Sequence, residues 1–451
     1  MLPLGTDPDG EPAPLPSGKA GSVAGMRVTF LRTATLLLSC TTLAGVGCGK
    51  TLSPANEHTT ATVPALGRHA AIGASTTNTT RLGGSTPVID AAAVALAAYP
   101  GLTPATRPQL VVMVNDNDWP AALASSVLAG APLHAPLLYS EGGTLPQPTS
   151  IALQAMQPKG TDTPGPSPSG PEGRAQVLDV GNAPVPTGYA TRAIAASEPA
   201  ALAVAIEQLS SRLDGRAPHD LIVTAANGPA ALAMPAAGLS AQTGAPILFV
   251  HRSGIPHATA VELARLAGAS IYVVGPRAVV SERVVRELRH FGAVTRIDGQ
   301  TPAANAIAVA RFSNGAFGWG VLEPGHGLVF ASSSRPLDAP AAAPLSARGD
   351  YGPLLLLEGA GALSSELGGY LSDLQPGSPT SGPVHGVYNR GWLIGDETAI
   401  SARTQAHLDT LLEISSRAAP EASFSSPTTP SSEATPSEAT QGSEPTQSNK
   451  P

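Results

Sequence analysis

Leu221–Val250 reads LIVTAANGPAALAMPAAGLSAQTGAPILFV, and the reading of this stretch decides the fold. An apolar run, LIVTA, is followed by a turn at Asn227-Gly228-Pro229 and an Ala-rich segment of helical length. A second apolar run, ILFV, opens just after Pro246. Uninterrupted apolar runs of four to six residues mark strands buried on both faces, the pattern of a parallel sheet covered by helices. Proline can open such a strand but cannot sit inside a central one, because it lacks the N–H that the ladder needs. The same order occurs upstream in Leu110–Ser140, LVVMVNDNDWPAALASSVLAGAPLHAPLLYS, and downstream in Leu328–Glu358, LVFASSSRPLDAPAAAPLSARGDYGPLLLLE. Pro136 and Pro353 take the place of Pro246.

Outward from this centre, two further anchors recur. A Thr-Arg pair precedes a helical stretch in each copy, as Thr80-Arg81-Leu82, Thr191-Arg192-Ala193 and Thr295-Arg296-Ile297. A proline stands six residues after the first and third arginine (Pro87 and Pro302) and seven after the second (Pro199). Proline in the first turn of a helix is tolerated, since its missing N–H has no intrahelical partner there. Each copy closes on an apolar run ending in glycine: Gly181, Gly275 and Gly395. Each copy therefore reads helix–strand–helix–strand–helix–strand. The fold class expected is α/β: three tandem repeats, each a small parallel sheet flanked by helices in Rossmann-like layering, arranged with pseudo-threefold symmetry. The expected divisions are a leader over 1–48 with its core at 26–48, a tether over 49–75, modules over 76–187, 188–291 and 292–417, and a tail over 418–451.

The flanks read as address and solvent-facing chain. From Met26 the sequence MRVTFLRTATLLLSCTTLAGVGCGK places Arg27 and Arg32 ahead of an uncharged, largely apolar run, Thr33–Gly47. That is the form of a secretory signal, too short for a stable span of about 20 residues. Residues 1–25 read as an over-extended start or an extension ahead of it. Ala44-Gly45-Val46-Gly47-Cys48 resembles a bacterial lipobox, which makes Cys48 the expected lipidation site and the membrane a partner through the lipid. Two acyl chains, at about 0.8 kcal/mol per buried CH2, suffice for stable anchoring. Residues 418–451 are almost entirely Ser, Thr, Pro, Glu, Ala and Gln, a composition that cannot bury enough apolar surface to offset ordering entropy. Lys159–Gly173 and Gln375–Pro383 read as surface insertions. The only cysteines are Cys40 and Cys48, so the body has no disulfide framework, Cys metal site or Cys nucleophile. A net charge of −7 argues against general nucleic-acid binding.

These anchors resemble the cell wall binding repeat 2 family. Arg81-Leu82-Gly83-Gly84 and Arg296-Ile297-Asp298-Gly299 match the family's opening. Gly244-Ala245-Pro246-Ile247-Leu248 and Val273-Val274-Gly275 match its later parts, and Asp338-Ala339 is what remains of its Asp-Ala-Leu helix start. Ala121 and Ala230 stand at the other two Asp positions. The resemblance implies a non-catalytic surface protein at the outer face of the membrane or in the wall. It implies three repeats that hold a peptidoglycan-associated anionic polysaccharide non-covalently, several weak contacts on one chain summing to firm retention.

No catalytic motif emerges: there is no G-x-S-x-G elbow, P-loop or H-E-x-x-H, and Gly359-Ala360-Gly361 lacks Rossmann spacing. No cofactor or metal is expected. His251, His257 and His326 are scattered. Asp116 and Asp118 follow the first strand of their copy, where open sheets bind ligands, but no shared acid recurs and capping of the turn explains them. Arg283, Arg286 and Arg289 fall at i, i+3, i+6 as a basic stripe, read as a solvated face. Ligand-binding candidates are therefore Arg81, Arg192, Arg296 and Asp338, guanidinium groups being suited to phosphate or carboxylate. The competing reading of the arginines is a structural ion pair at the start of each module. The alternative function is a solute-binding lipoprotein serving a transporter, which requires two lobes and one pocket instead of three similar modules.

Overall fold

All the apolar runs become strands, and so do the three Thr-Arg anchors. The computed structural model describes residues 74–163, 174–184, 186–347, 352–361, 363–376 and 388–414. They lie in one compact unit, Thr62–Pro451. Cys48, the leader, the tether up to 73, the tail from 418 and most of both insertions lie outside the described residues.

The first stretch runs β1 (Thr79–Leu82), α1 (Pro87–Ala98), β2 (Val111–Asn115), α2 (Trp119–Ala124), β3 (Leu137–Ser140), α3 (Gln147–Met156) and β4 (Val177–Val180). The second runs β5 (Thr191–Ile194), α4 (Pro199–Asp214), β6 (Asp220–Ala225), α5 (Ala230–Ala233), α6 (Pro235–Thr243), β7 (Ile247–Val250), α7 (His257–Arg265), β8 (Ser270–Val274) and α8 (Glu282–Leu288). The third runs β9 (Val294–Ile297), α9 (Pro302–Arg311), β10 (Ser313–Asn314), β11 (Phe317–Gly318), β12 (Gly327–Ser332), α10 (Asp338–Ser346), β13 (Leu354–Leu357), α11 (Ser365–Asp373), β14 (Arg390–Ile394) and α12 (Ala402–Leu412).

Three four-stranded parallel sheets result, ordered β3-β2-β4-β5, β7-β6-β8-β9 and β13-β12-β14-β1. This corrects the expected element order. The Thr-Arg anchor precedes a helix in each copy as expected, but it is itself a fourth strand, and β5 and β9 complete the sheets built by the residues before them. Strand β5 edges the first sheet and β9 the second. Strand β1, the first among the described residues, pairs with β14, more than 300 residues away, so the exchange of strands runs round a closed cycle. Three equivalent sheets, not two lobes, are the architecture.

The prolines do the local work expected of them. Pro136, Pro246 and Pro353 each stand one residue before a strand and accept, through their carbonyls, from Val112, Ile222 and Val329 at 2.9, 3.0 and 3.1 Å. Pro87 and Pro302 open helices whose first turns are capped by the hydroxyls of Thr86 and Thr301. The closing glycines Gly181, Gly275 and Gly395 have φ of +75°, +121° and +99°, and their N–H groups donate to Ile194, Ile297 and Leu82 of the arriving strand. A side chain at these positions would strain the backbone that finishes each sheet.

Between the sheets, α2 with the 3-10 turn Ser125–Ala129, α6 and α10 pack against one another. With aromatics at 4% of the chain, this centre is built from alanine, and Ala129, Ala241 and Ala343 form a small cluster of their own. The helices approach closely: a Cβ on Gly238 would lie 2.8 Å from Ser346 Oγ. One element is private to the third module. The β10–β11 hairpin turns at Asn314-Gly315 and stacks Phe317 on Tyr272 of the second sheet, centroids 3.7 Å apart.

Gly395→Ala is expected to cost about 1–3 kcal/mol, because it combines positive φ with a Cβ 2.7 Å from that of Ala399. Gly368→Ala, in the helical, uncrowded middle of α11, is expected to be neutral or to add up to about 1 kcal/mol. Denaturant midpoints of the two variants check the opposite signs.

Candidate functional site at the module junctions

The three Thr-Arg strands bring their arginines to different ends. Arg81 is 2% exposed. Its Nη1 donates to Gly395 O at 3.0 Å, one Nη2 hydrogen to Ile400 O at 2.7 Å, and Nε and Nη2 to Gln405 Oε1 at 3.1 and 2.8 Å. Arg296 repeats the first two contacts one module earlier, Nη1 to Gly275 O and Nη2 to Val280 O, both at 2.7 Å, and adds Glu282 at 3.3 Å. Both guanidinium groups tie the exchanged strand to the turn between the closing glycine and the next helix. Burial lowers the affinity of Arg81 for its proton, while Glu397 and Asp396 oppose that. The donors of Arg81 are committed to protein acceptors, a role inside the junction that leaves the group little to offer a ligand.

Arg192 does not share this geometry. By register Arg81 pairs with Leu393 and Arg296 with Val273, whereas the equivalent partner in the first sheet, Asp179, faces Ala193. Arg192 is one residue out of step and, with the period-two alternation of a strand, lies on the opposite face, where it donates to Thr163. The signal was present: Pro199 stands seven residues after Arg192, not six, so the helix start aligns Ala193 with Arg81 and Arg296. In addition, no helix separates β4 from β5, so no turn of the Gly395–Ile400 type exists there to be clamped.

Asp338 is fully buried in the first turn of α10, where it meets residues that sequence reasoning did not single out as a site. Arg335, its side chain 14% exposed, lies with Nε 3.1 Å from Asp338 Oδ2 and reaches Asp90 Oδ2 with Nη2. Asp90, also fully buried, comes from α1 and accepts from Gly84 N at 2.6 Å. Tyr139 donates to Leu337 O at 2.7 Å. Burial, against the pull of Arg335, pushes the Asp90 carboxyl up to about 6. Burial and the neighbouring Asp90 hold Asp338 well above the usual carboxylate range. Asp90 could have been flagged as the lone acid in an otherwise Ala-Val-Leu helix.

A second group of similar composition ties α4 to α7. Arg265 donates to both oxygens of Glu207 at 3.1 Å and, through Nε, to Glu262 at 2.6 Å, and both carboxyl groups are buried. Burial and the bond to Glu262 push Glu207 up to about 7, although Ser211 and Arg265 pull the other way. Asp118 caps α2 through Ala121 N at 3.0 Å, as the turn reading expects. Among the described residues no group of three or more His, Cys, Asp or Glu is placed to hold a metal ion, and no helix is long and apolar enough to cross a membrane.

The fold and junctions define a class: a repeat protein of parallel α/β modules in which each covalent repeat lends its first strand to the sheet before it. Within that class, residues 189–285 match the model of Cell wall binding domain 2 (CWB2). The matched span starts just before β5 and ends in α8. It therefore follows the covalent repeat, including the lent strand, and not the spatial sheet. The fold is similar to that of Cwp6 from Clostridium difficile (16% identity, TM-score 0.57, covering 73% of this chain and 48% of that one). It is likewise similar to Cwp8 from the same organism (18% identity, TM-score 0.55, covering 74% and 52%). The chain thus spans about half the length of either protein. No curated protein sequence matches it.

Two outcomes follow. Arg81→Gln leaves buried carbonyls without donors and is expected to cost about 2–4 kcal/mol in urea unfolding, against less than about 1 kcal/mol for Arg192→Gln. Glu207, raised in the folded state, binds its proton more tightly there than in the unfolded chain. Its contribution is therefore complete below the ordinary Glu range and is lost as pH rises toward about 7. Between pH 5 and 8 the wild type is expected to lose about 1–3 kcal/mol more stability than Glu207→Gln, measured by denaturant titration at each pH.

Proposed function

We propose that this chain is a cell-wall-binding surface protein without catalytic activity, held to a peptidoglycan-associated anionic polysaccharide by non-covalent contacts. The observation that carries the reading is the CWB2 match at residues 189–285, set in a body where the same strand-exchanged module occurs three times. Repetition makes physical sense for a polymer ligand. Each added contact is intramolecular once the first has formed, so weak contacts sum to firm retention without a tight pocket.

Guanidinium groups on α8 and the residue after it support an anionic partner. Arg283, Arg286 and Arg289 are exposed. Arg283 pairs with Glu287 at 2.9 Å, while Arg286 and Arg289 make no ion pair among the described residues. The two unpaired groups are the proposed contacts in the second module, in place of the clamped Arg81 and Arg296. The proposal extends to the membrane: lipidation at Cys48 tethers the chain to the outer face, and polymer binding holds the body in the wall above it.

Protein from residue 49 onward is expected to sediment with purified bacterial cell walls, and Arg286→Gln with Arg289→Gln to weaken retention several-fold with a shallower salt dependence. Recovery no greater than that of a size-matched control would reject wall binding. In cells, Cys48→Ala is expected to move the protein from the membrane fraction to the medium.

A further inference from the structure

The junction at which the cycle closes is chemically unlike the other two. Asp90, like Leu202 and Asn305, stands three residues after a helix-opening proline (Pro87, Pro199, Pro302), and Arg335 and Asp338 stand six and nine residues after Val329, as their counterparts do after Val112 and Ile222. At the first junction these are Leu202, Asp118 and Ala121, a single carboxylate beside two apolar side chains: a Cβ on Gly181 would meet Asp118 Oδ2 at 3.4 Å, Leu202 at 3.8 Å and Ala121 at 3.9 Å. At the second they are Asn305, Gly228 and Ala231, and neutral Asn305 donates to Leu232 O at 2.7 Å. Asn305 also accepts from Gly299 N at 3.0 Å, as Asp90 does from Gly84 N at 2.6 Å. Only the closing junction places two carboxyl groups against one guanidinium, with both acids fully buried.

That arrangement does not balance if every group is charged. Two carboxylates and one guanidinium leave a net negative charge out of water, a state that proteins avoid by neutralising one group. Among the described residues the surroundings supply no cation besides Arg335. Beside the pair are the Tyr139 hydroxyl from β3 and Asp396 from the turn after β14, and Asp116 from the turn after β2 acts on Tyr139. Asp396 remains ionised: despite burial, its hydrogen bonds from Thr398 keep it below the usual range. Neither oxygen of Asp338 receives a hydrogen bond from an N–H or O–H of the protein, yet Arg335 holds its carboxyl and that of Asp90 against one guanidinium, Nη2 on Asp90 Oδ2 and Nε 3.1 Å from Asp338 Oδ2. Two carboxyl groups can bond to each other only through a proton.

We propose that the three-module cycle is locked by one proton, shared between Asp90 and Asp338, and that its loss loosens α1 and β1 from the third module. With the proton in place, one carboxylate faces one guanidinium across the junction. Without it, the two acids repel each other in a site that solvent does not screen. The raised affinities of both groups for a proton agree in sign. The stabilisation is complete at pH below the ordinary Asp range and is lost as pH rises through the raised range of the pair, about 6 for Asp90 and well above the usual carboxylate range for Asp338. The lock acts on β1 because, among the described strands, β1 pairs only with β14, and it is joined to α1 by the short Gly83–Thr86 turn.

Hydrogen–deuterium exchange on the full chain at pH 5 and pH 8, corrected for intrinsic exchange rates, tests this. Peptides covering 79–98 are expected to lose protection about tenfold or more at pH 8, the change for one pKa unit of linkage, beyond the loss at β6 and β7, which pack near Glu207 and share its response. Asp338→Asn supplies a permanent N–H in place of the shared proton and is expected to keep protection at both pH values. Asp90→Asn, which can still accept from Gly84, provides a second neutral variant should the first fail to fold. Glu207→Gln is expected to leave the response of 79–98 unchanged. Equal protection of 79–98 at both pH values in the wild type overturns the proposal. So does a wild-type response in a folded Asn variant, or loss of the response in Glu207→Gln.

Discussion

The rest of this structure depends on the parallel pairing of each Thr-Arg strand with the sheet that precedes it in the chain. Four residues at each junction supply the ladder: Thr79–Leu82 on β14, Thr191–Ile194 on β4 and Val294–Ile297 on β8. Because the lent strand is covalently continuous with the helix after it, pairing one sheet's edge positions the next module. The positive-φ glycine and, at two junctions, the arginine clamp both serve this one ladder.

The centre of the molecule follows from that constraint. Three helices brought together by three sheets have little room, and alanine and glycine are the side chains that let them touch. A composition poor in aromatics and rich in alanine is therefore the composition that a crowded axis requires. Close packing also makes each polar residue buried there consequential. Leu202 and Asn305 show that the place of Asp90 can be filled without charge, so the Asp90–Arg335–Asp338 group is not needed to build a junction as such.

The binding reading and the junction chemistry are separate matters. A repeat that lends its strand must be recognised in sequence by its covalent unit, and the CWB2 match covers that unit. The clamped arginines, Arg81 and Arg296, belong to the fold, whereas the guanidinium groups of Arg286 and Arg289 at the end of the second module are exposed and are the contacts proposed for an anionic polymer. Recurrence in sequence thus pointed first to residues that hold the protein together. A contact remade in every module recurs for structural reasons, while ligand contacts are free to differ between copies.

The sequence by itself determined the class, the number of modules, the strand-opening prolines and the closing glycines. Each of these is a local requirement: apolar runs, a missing N–H, a positive φ. It also held the one-residue offset of Arg192, legible in the spacing to Pro199 but masked by the repeated Thr-Arg pair. The Asn314-Gly315 hairpin was equally open to reading as a turn, though not its docking on Tyr272. What only the tertiary structure decided is which sheet each strand joins, and hence what surrounds Arg81, Asp90 and Asp338. Those partners are separated by some 245 to 324 positions. No local propensity encodes such a meeting, because it exists only once the first strand of the chain has paired with the last.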